Sequence, residues 1–157
     1  MISLRRATPA DCEQIATLHA ASIQTLGTTH YTPEQLASWS PHTVPQRYLR
    51  LIEVADFLLA LDGEQLVGFG ELHEGEIGMI FVDPASARRG IGSMLLRELE
   101  QIAAARSVER LTLCASLNAV PFYSAMGFTP VEKVSWRSPG GLELPCLHME
   151  KRLPPVE

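Results

Sequence analysis

The segment Val82-Asp83-Pro84-Ala85-Ser86-Ala87-Arg88-Arg89-Gly90-Ile91-Gly92-Ser93 constrains the architecture of this chain more than any other. An apolar run from Ile77 to Val82 enters it, and the spacing of Met94, Leu95, Leu99 and Ile102 carries a helix away from it. A strand that turns through glycines into a helix presents unpaired N–H groups and the positive end of a helix dipole, and both favour an anion. Gly90 and Gly92 let a ligand approach the backbone closely. No Lys-Ser/Thr follows the second glycine, and the third glycine of the dinucleotide pattern is absent. The segment therefore reads as a site for a phosphorylated ligand outside the two commonest nucleotide loops.

The net charge of −5 argues against nucleic acid as a partner, because phosphate backbones need a basic surface. Arg88 and Arg89 are a local exception, enough for one small phosphorylated ligand. With 157 residues, 46% of them hydrophobic, the chain reads as a single domain spanning 1–157, with 154–157 a frayed tail. Apolar stretches such as Phe57 to Leu61 are of strand length, so no membrane association is expected. The N-terminal residues lack a signal-peptide pattern, and the three cysteines (Cys12, Cys114, Cys146) are far apart. A cytoplasmic protein with reduced thiols is the expectation.

Ile2 to Arg6 alternates as a strand. Thr8-Pro9-Ala10-Asp11 opens a helix that Ile15, Leu18, Ile23 and Leu26 continue to Gly27, and Thr32-Pro33-Glu34 opens a second. Pro41 and Pro45 interrupt the chain after this second helix, and Arg47 to Val54 forms a further short one. Phe57–Leu61 and Gln65–Leu72 read as a hairpin about Asp62-Gly63, followed by the strand Glu76–Val82. The long helix ends near Arg106, and Leu111–Cys114 is a strand parallel to Glu76–Val82. Asn118 caps a short helix with Pro121, Phe122 and Tyr123, which Gly127 ends with Phe128 packing back. Val131–Arg137 and Leu142–Glu150 complete the chain as two strands.

Val82-Asp83-Pro84, Arg89-Gly90-Ile91-Gly92 and Asn118…Pro121-Phe122-Tyr123…Gly127-Phe128, in that order, resemble the GNAT superfamily of acyl-CoA N-acyltransferases. Thr29 to Leu36 and Ala115 to Asn118 resemble a bacterial acetyltransferase subgroup within it. The resemblance covers nearly the whole chain. It implies an α+β fold: a mixed, centrally splayed sheet flanked by helices on both faces. It also implies acetyl-CoA as co-substrate, with pantetheine on the backbone of Ile80, Phe81 and Val82 and the pyrophosphate on Arg88, Arg89, Gly90, Ile91, Gly92 and Ser93. Asn118 belongs to the same donor site. Ala87 departs from the family pattern, which usually places Gln or Arg there.

Direct transfer to an amine needs a neutral nucleophile, yet an alkylamine of pKa ~10 is almost wholly protonated at neutral pH, so a base helps. The resemblance makes Tyr123 the acid and Glu76 the base candidate; Glu71, His73 or a water chain are alternatives for the base. Alternation places Glu76 with Gly78, Ile80 and Val82 on one strand face, and Ile77, Met79 and Phe81 on the other. His30, Tyr31, Trp39 and Glu71 are candidates for substrate contact. His19 and His42 read as surface residues, His148 as structural, and Cys114 as a buried small residue. No His/Cys spacing suggests a metal. The expected activity is acetyl transfer from acetyl-CoA to a primary amine on a small molecule or peptide. A non-catalytic acyl-CoA sensor and a phosphate-ligand protein unrelated to CoA are the alternatives. The terminal strand pair could support a homodimer.

Overall fold

The computed structural model describes residues 1–39 and 45–155. Pro41, expected to interrupt the chain, and His42, expected at the surface, lie outside the described residues, as do residues 156–157 of the tail. The elements are β1 (Ile2–Arg6), α1 (Cys12–Gln24, entered through a short 3-10 turn at Pro9–Asp11), α2 (Pro33–Trp39) and α3 (Gln46–Val54). They continue as β2 (Asp56–Asp62), β3 (Gln65–His73), β4 (Glu76–Val82), α4 (Ile91–Ala105), β5 (Arg110–Ser116) and α5 (Val120–Ala125), and end with β6 (Thr129–Arg137) and β7 (Glu143–Arg152). The strands form one sheet in the order β1-β2-β3-β4-β5-β7-β6. Every neighbouring pair is antiparallel except β4 and β5.

Helices cover both faces, as the resemblance implied. Ile15, Leu18 and Tyr48 from α1 and α3 bury Phe57, Leu59 and Phe69 on one face. Ile91, Leu95 and Leu99 from α4 bury Leu58, Ala60 and Leu72 on the other. Gly68 and Gly70 bring α4 down onto β3: a β-carbon at Gly68 would lie 2.9 Å from the Ile91 side chain. The turn into α2 closes reciprocally, with Gln35 N–H donating to the Thr32 hydroxyl at 3.1 Å and Thr32 N–H donating to Gln35 Oε1 at 2.9 Å.

Two features of β4 create the site. The parallel ladder to β5 holds only at Glu76↔Thr112 and Ile77↔Leu113, after which the strands splay. On its other side the register with β3 slips between Ile77↔Leu72 and Ile80↔Gly70, so Gly78 and Met79 together face the single residue Glu71. This bulge overturns the alternation expected from the sequence. Ile77 packs with Ile80 and Val82 beneath α4, while Met79 and Phe81 pack beneath α1 and α3. One extra residue shifts the phase of every side chain before it, so Glu76 sits on the same face as Glu71 rather than with Ile80 and Val82.

Candidate active site

A cleft of about 1150 Å³ occupies the splay and opens between β4, β5, α2 and α3. Ile80, Val82, Pro84, Ala87, Asn118 and Tyr123 line one end; Arg47, Arg50, Glu71, His73 and Glu76 line the other. Tyr31, Trp39, Phe81 and Trp136 form an aromatic wall between them, with Trp39 edge-on to Tyr31, Phe81 and Trp136 at centroid distances of 5.7, 6.3 and 5.4 Å.

Glu71 is the unusual group in this cleft. It is a carboxylate only 6% exposed, in a strand otherwise apolar from Leu66 to Leu72, and its Oε2 atom is buried without a hydrogen-bond partner. Burial pushes its pKa up to about 7; the charges of Arg47 and His73 oppose the rise and that of Glu76 assists it. Gly78 makes the position possible, because a side chain there would collide with the carboxylate. Glu76, by contrast, is solvent-exposed at the start of β4 beside His73.

Tyr123 is buried between Phe122 and Phe128, at 5.1 and 5.7 Å between ring centroids, and burial pushes its phenol pKa well above the ordinary value. Its helix is held at its end by Lys151, whose ammonium donates to Met126 O at 2.8 Å and pairs with Glu100 at 2.9 Å. Asn118 does not cap α5. Its side-chain amide donates to Leu26 O at 2.9 Å, tying the loop after α1 to the end of β5 and leaving Oδ1 buried and unpartnered. Its position in a 3-10 turn, with Ala119 at the helix start, frees the side chain for this longer reach.

The Tyr31 hydroxyl is fully engaged: it accepts from Leu117 N–H at 2.9 Å and donates to Pro145 O at 2.7 Å. His30 is exposed and lies outside the cleft lining. In the glycine turn, Arg88 and Gly90 are left-handed (φ 66° and 74°), and Gly90 has open space where a side chain would stand. Gly92 has a different neighbour: a β-carbon there would meet the Phe122 ring at 3.3 Å. The Arg89 guanidinium pairs with Asp62 at 2.9 Å, and the Ala87 position lines the cleft. Ile91, the first residue of α4, is buried in the core, and Ser93 lies in the same first turn.

Two further sequence expectations are corrected. His19 is buried in the core and not at the surface; its Nδ1 lies 2.7 Å from the Tyr48 hydroxyl, and burial holds its pKa down at about 3. Its spacing of four from both Ile15 and Ile23 puts it on the inward stripe of α1, a signal present in the sequence. Cys114 is exposed along the cleft, because the splay strips β5 of the neighbour that would have covered it.

The family model described as Acetyltransferase (GNAT) domain matches residues 28–153. The Escherichia coli (strain K12) protein YafP, described as an uncharacterized N-acetyltransferase, is 31% identical over 84% of this chain and 84% of its own length. A crystal structure from Rhodopseudomonas palustris, titled a GCN5-related N-acetyltransferase: aminotransferase, class-II, superposes with a TM-score of 0.91 at 29% identity, covering 96% of this chain and 95% of that one. The PaiA N-acetyltransferase of Thermoplasma acidophilum, solved in complex with coenzyme A, superposes with a TM-score of 0.80 at 23% identity over 98% of this chain and 99% of that one.

Proposed function

The chain belongs to the GNAT family of acetyltransferases, and from that premise we propose that it moves an acetyl group from acetyl-CoA to a primary amine presented to Glu71. The observation that carries the reading is a buried carboxylate, its pKa pushed up to about 7, facing the same cleft as Tyr123.

The residues at the donor end suit acetyl-CoA. Beyond Ile77, β4 has no strand partner on its β5 side, leaving backbone of Ile80 to Val82 for the pantetheine amides. The orphaned Oδ1 of Asn118 is an acceptor for an amide N–H. The α4 N-terminus, with Arg88, Arg89, Gly90, Ile91, Gly92 and Ser93, would take the pyrophosphate on its unpaired N–H groups. Acetyl-CoA supplies the activated acyl group.

The chain's own residues manage protons. Glu71, its pKa raised to about 7, is partly deprotonated at neutral pH and accepts the proton that an incoming ammonium must lose. Tyr123 stays neutral across the physiological range and donates from its hydroxyl toward the departing sulfur. The exposed Glu76 adds negative potential that attracts the cationic amine and raises the affinity of Glu71 for a proton. A thiol-release assay with acetyl-CoA against an amine panel tests the reading: Glu71→Gln and Tyr123→Phe should keep acetyl-CoA affinity and lose turnover. Unaltered turnover in both would remove these roles, and affinity without turnover in the parent protein would favour the sensor alternative.

A further inference from the structure

Two cations at the acceptor end of the cleft have no use in that chemistry. Arg47 and Arg50 stand one turn apart on α3 and both line the cleft. Among the described residues neither is in an ion pair, and Arg47 Nη1 is buried without a hydrogen-bond partner. Among the described residues Arg5 pairs with Asp11, Arg6 and Arg106 share Asp56, Arg89 has Asp62, Arg110 has Glu150 and Arg137 has Glu143; of the arginines without an ion pair, Arg47 is the one with a buried, unpartnered guanidinium nitrogen. A guanidinium nitrogen removed from water with nothing to donate to is costly, and a planar fork of donors matches a carboxylate.

A carboxylate that the charge of Arg47 reaches is Glu71, and the two do not join. The charge of Arg47 reaches Glu71 strongly enough to oppose its raised pKa, yet no contact within 4.0 Å links them, and Glu71 Oε2 is itself unpartnered. An orphan cation and an orphan carboxylate thus face one cavity across a gap. A zwitterion fills such a gap, its ammonium toward Glu71 and its carboxylate toward Arg47. The remainder of the molecule then meets Trp39, Phe81 and Trp136, which are apolar and edge-packed.

We propose that the acceptor is an amine that also carries a carboxylate, of the amino-acid class with an apolar or aromatic side chain, and that Arg47, with Arg50 at the rim, selects it. The inference rests on the acetyltransferase reading of the same cleft.

The test is a thiol-release assay with acetyl-CoA on matched pairs: L-phenylalanine, L-tryptophan, L-leucine and L-methionine, each beside its carboxamide and its decarboxylated amine. The acids are expected to exceed their carboxamides in kcat/KM by at least about tenfold, the scale of a charge-assisted hydrogen-bond pair. Arg47→Gln should erase that preference, chiefly through acceptor KM, with acetyl-CoA KM held within about twofold. Arg47→Lys should restore part of it, since the charge returns without the fork. Carboxamides or bare amines acetylated as well as the acids would overturn the inference and leave the acetyltransferase reading intact. Acetyl-CoA binding with no amine of this panel acetylated would overturn the inference, the broader amine panel then deciding the acetyltransferase reading, and a preference for acids that survives Arg47→Gln would remove Arg47 from the account.

Discussion

The carboxylate of Glu71 occupies the volume that a side chain at position 78 would claim, so Gly78 and Glu71 share one space across the β3–β4 ladder. Gly78→Ala should therefore evict the carboxylate. A general base contributes roughly 10²–10⁴-fold. The expected loss in kcat for Gly78→Ala approaches that of Glu71→Gln, and the double variant should be no worse than the worse single one. Additive losses in steady-state kinetics would show that the two residues act separately.

The raised pKa of Glu71 has opposite signs for catalysis and stability. Activity requires the deprotonated form, so log kcat/KM should climb with pH and level off above about 7, and Glu71→Gln should flatten that limb. The fold prefers the protonated form: ionisation of Glu71 adds no cost while the group is neutral in both states, and that added cost grows as pH rises from 4.5 through about 7. Glu71→Gln should accordingly be more stable than the parent at pH 8, by on the order of 1–3 kcal/mol, with the gain gone near the bottom of that window. Urea titrations at the two pH values check this.

Tyr123→Phe removes one oxygen from a ring packed between Phe122 and Phe128, so the melting temperature should stay within a few degrees of the parent. Turnover should fall about 10- to 100-fold with acetyl-CoA Kd unchanged. Calorimetric binding beside single-turnover thiol release separates the two quantities.

Tyr31→Phe should do the reverse. Its hydroxyl serves Leu117 N–H and Pro145 O, and losing it leaves two backbone groups without a partner, at a cost of about 2 kcal/mol. The melting temperature should drop by roughly 4–8 °C. A change in acceptor specificity with no change in melting temperature would contradict this structural role.

Gly90→Ala tests the donor loop. The new methyl group meets no atom, so the penalty is conformational, about 1–2 kcal/mol for an L-residue at φ 74°. Relaxation of the turn to avoid that strain should weaken acetyl-CoA binding about tenfold while kcat at saturation changes little. Binding isotherms and saturating kinetics together decide it.

Short-range signatures made much of the fold legible in the residues. The glycine turn, the helix after it and the Asn118–Tyr123 element each have one, and the strand boundaries follow from alternation and turn chemistry. What alternation could not supply was the bulge at Gly78–Met79, because an extra residue has no composition of its own; the face of Glu76 departs from the expected one in consequence. Glu71 did carry a signal, a single acidic residue inside an apolar strand, but its burial depends on Gly78 across the ladder. Asn118 was visible as part of a motif, whereas its partner Leu26, far away in sequence, is brought to it only by tertiary packing.

The two-residue ladder between β4 and β5 also bears on how a ligand arrives. The wedge is kept open by protein contacts on its flanks: Asn118 to Leu26, and Tyr31 between Leu117 and Pro145. A gap braced in this way exists before anything enters it. Donor association should then be a single kinetic phase whose observed rate rises linearly with concentration, with no plateau from a preceding isomerisation. Loosening a brace, as Tyr31→Phe does, should introduce that plateau, making the rigidity of the empty wedge measurable as a time constant.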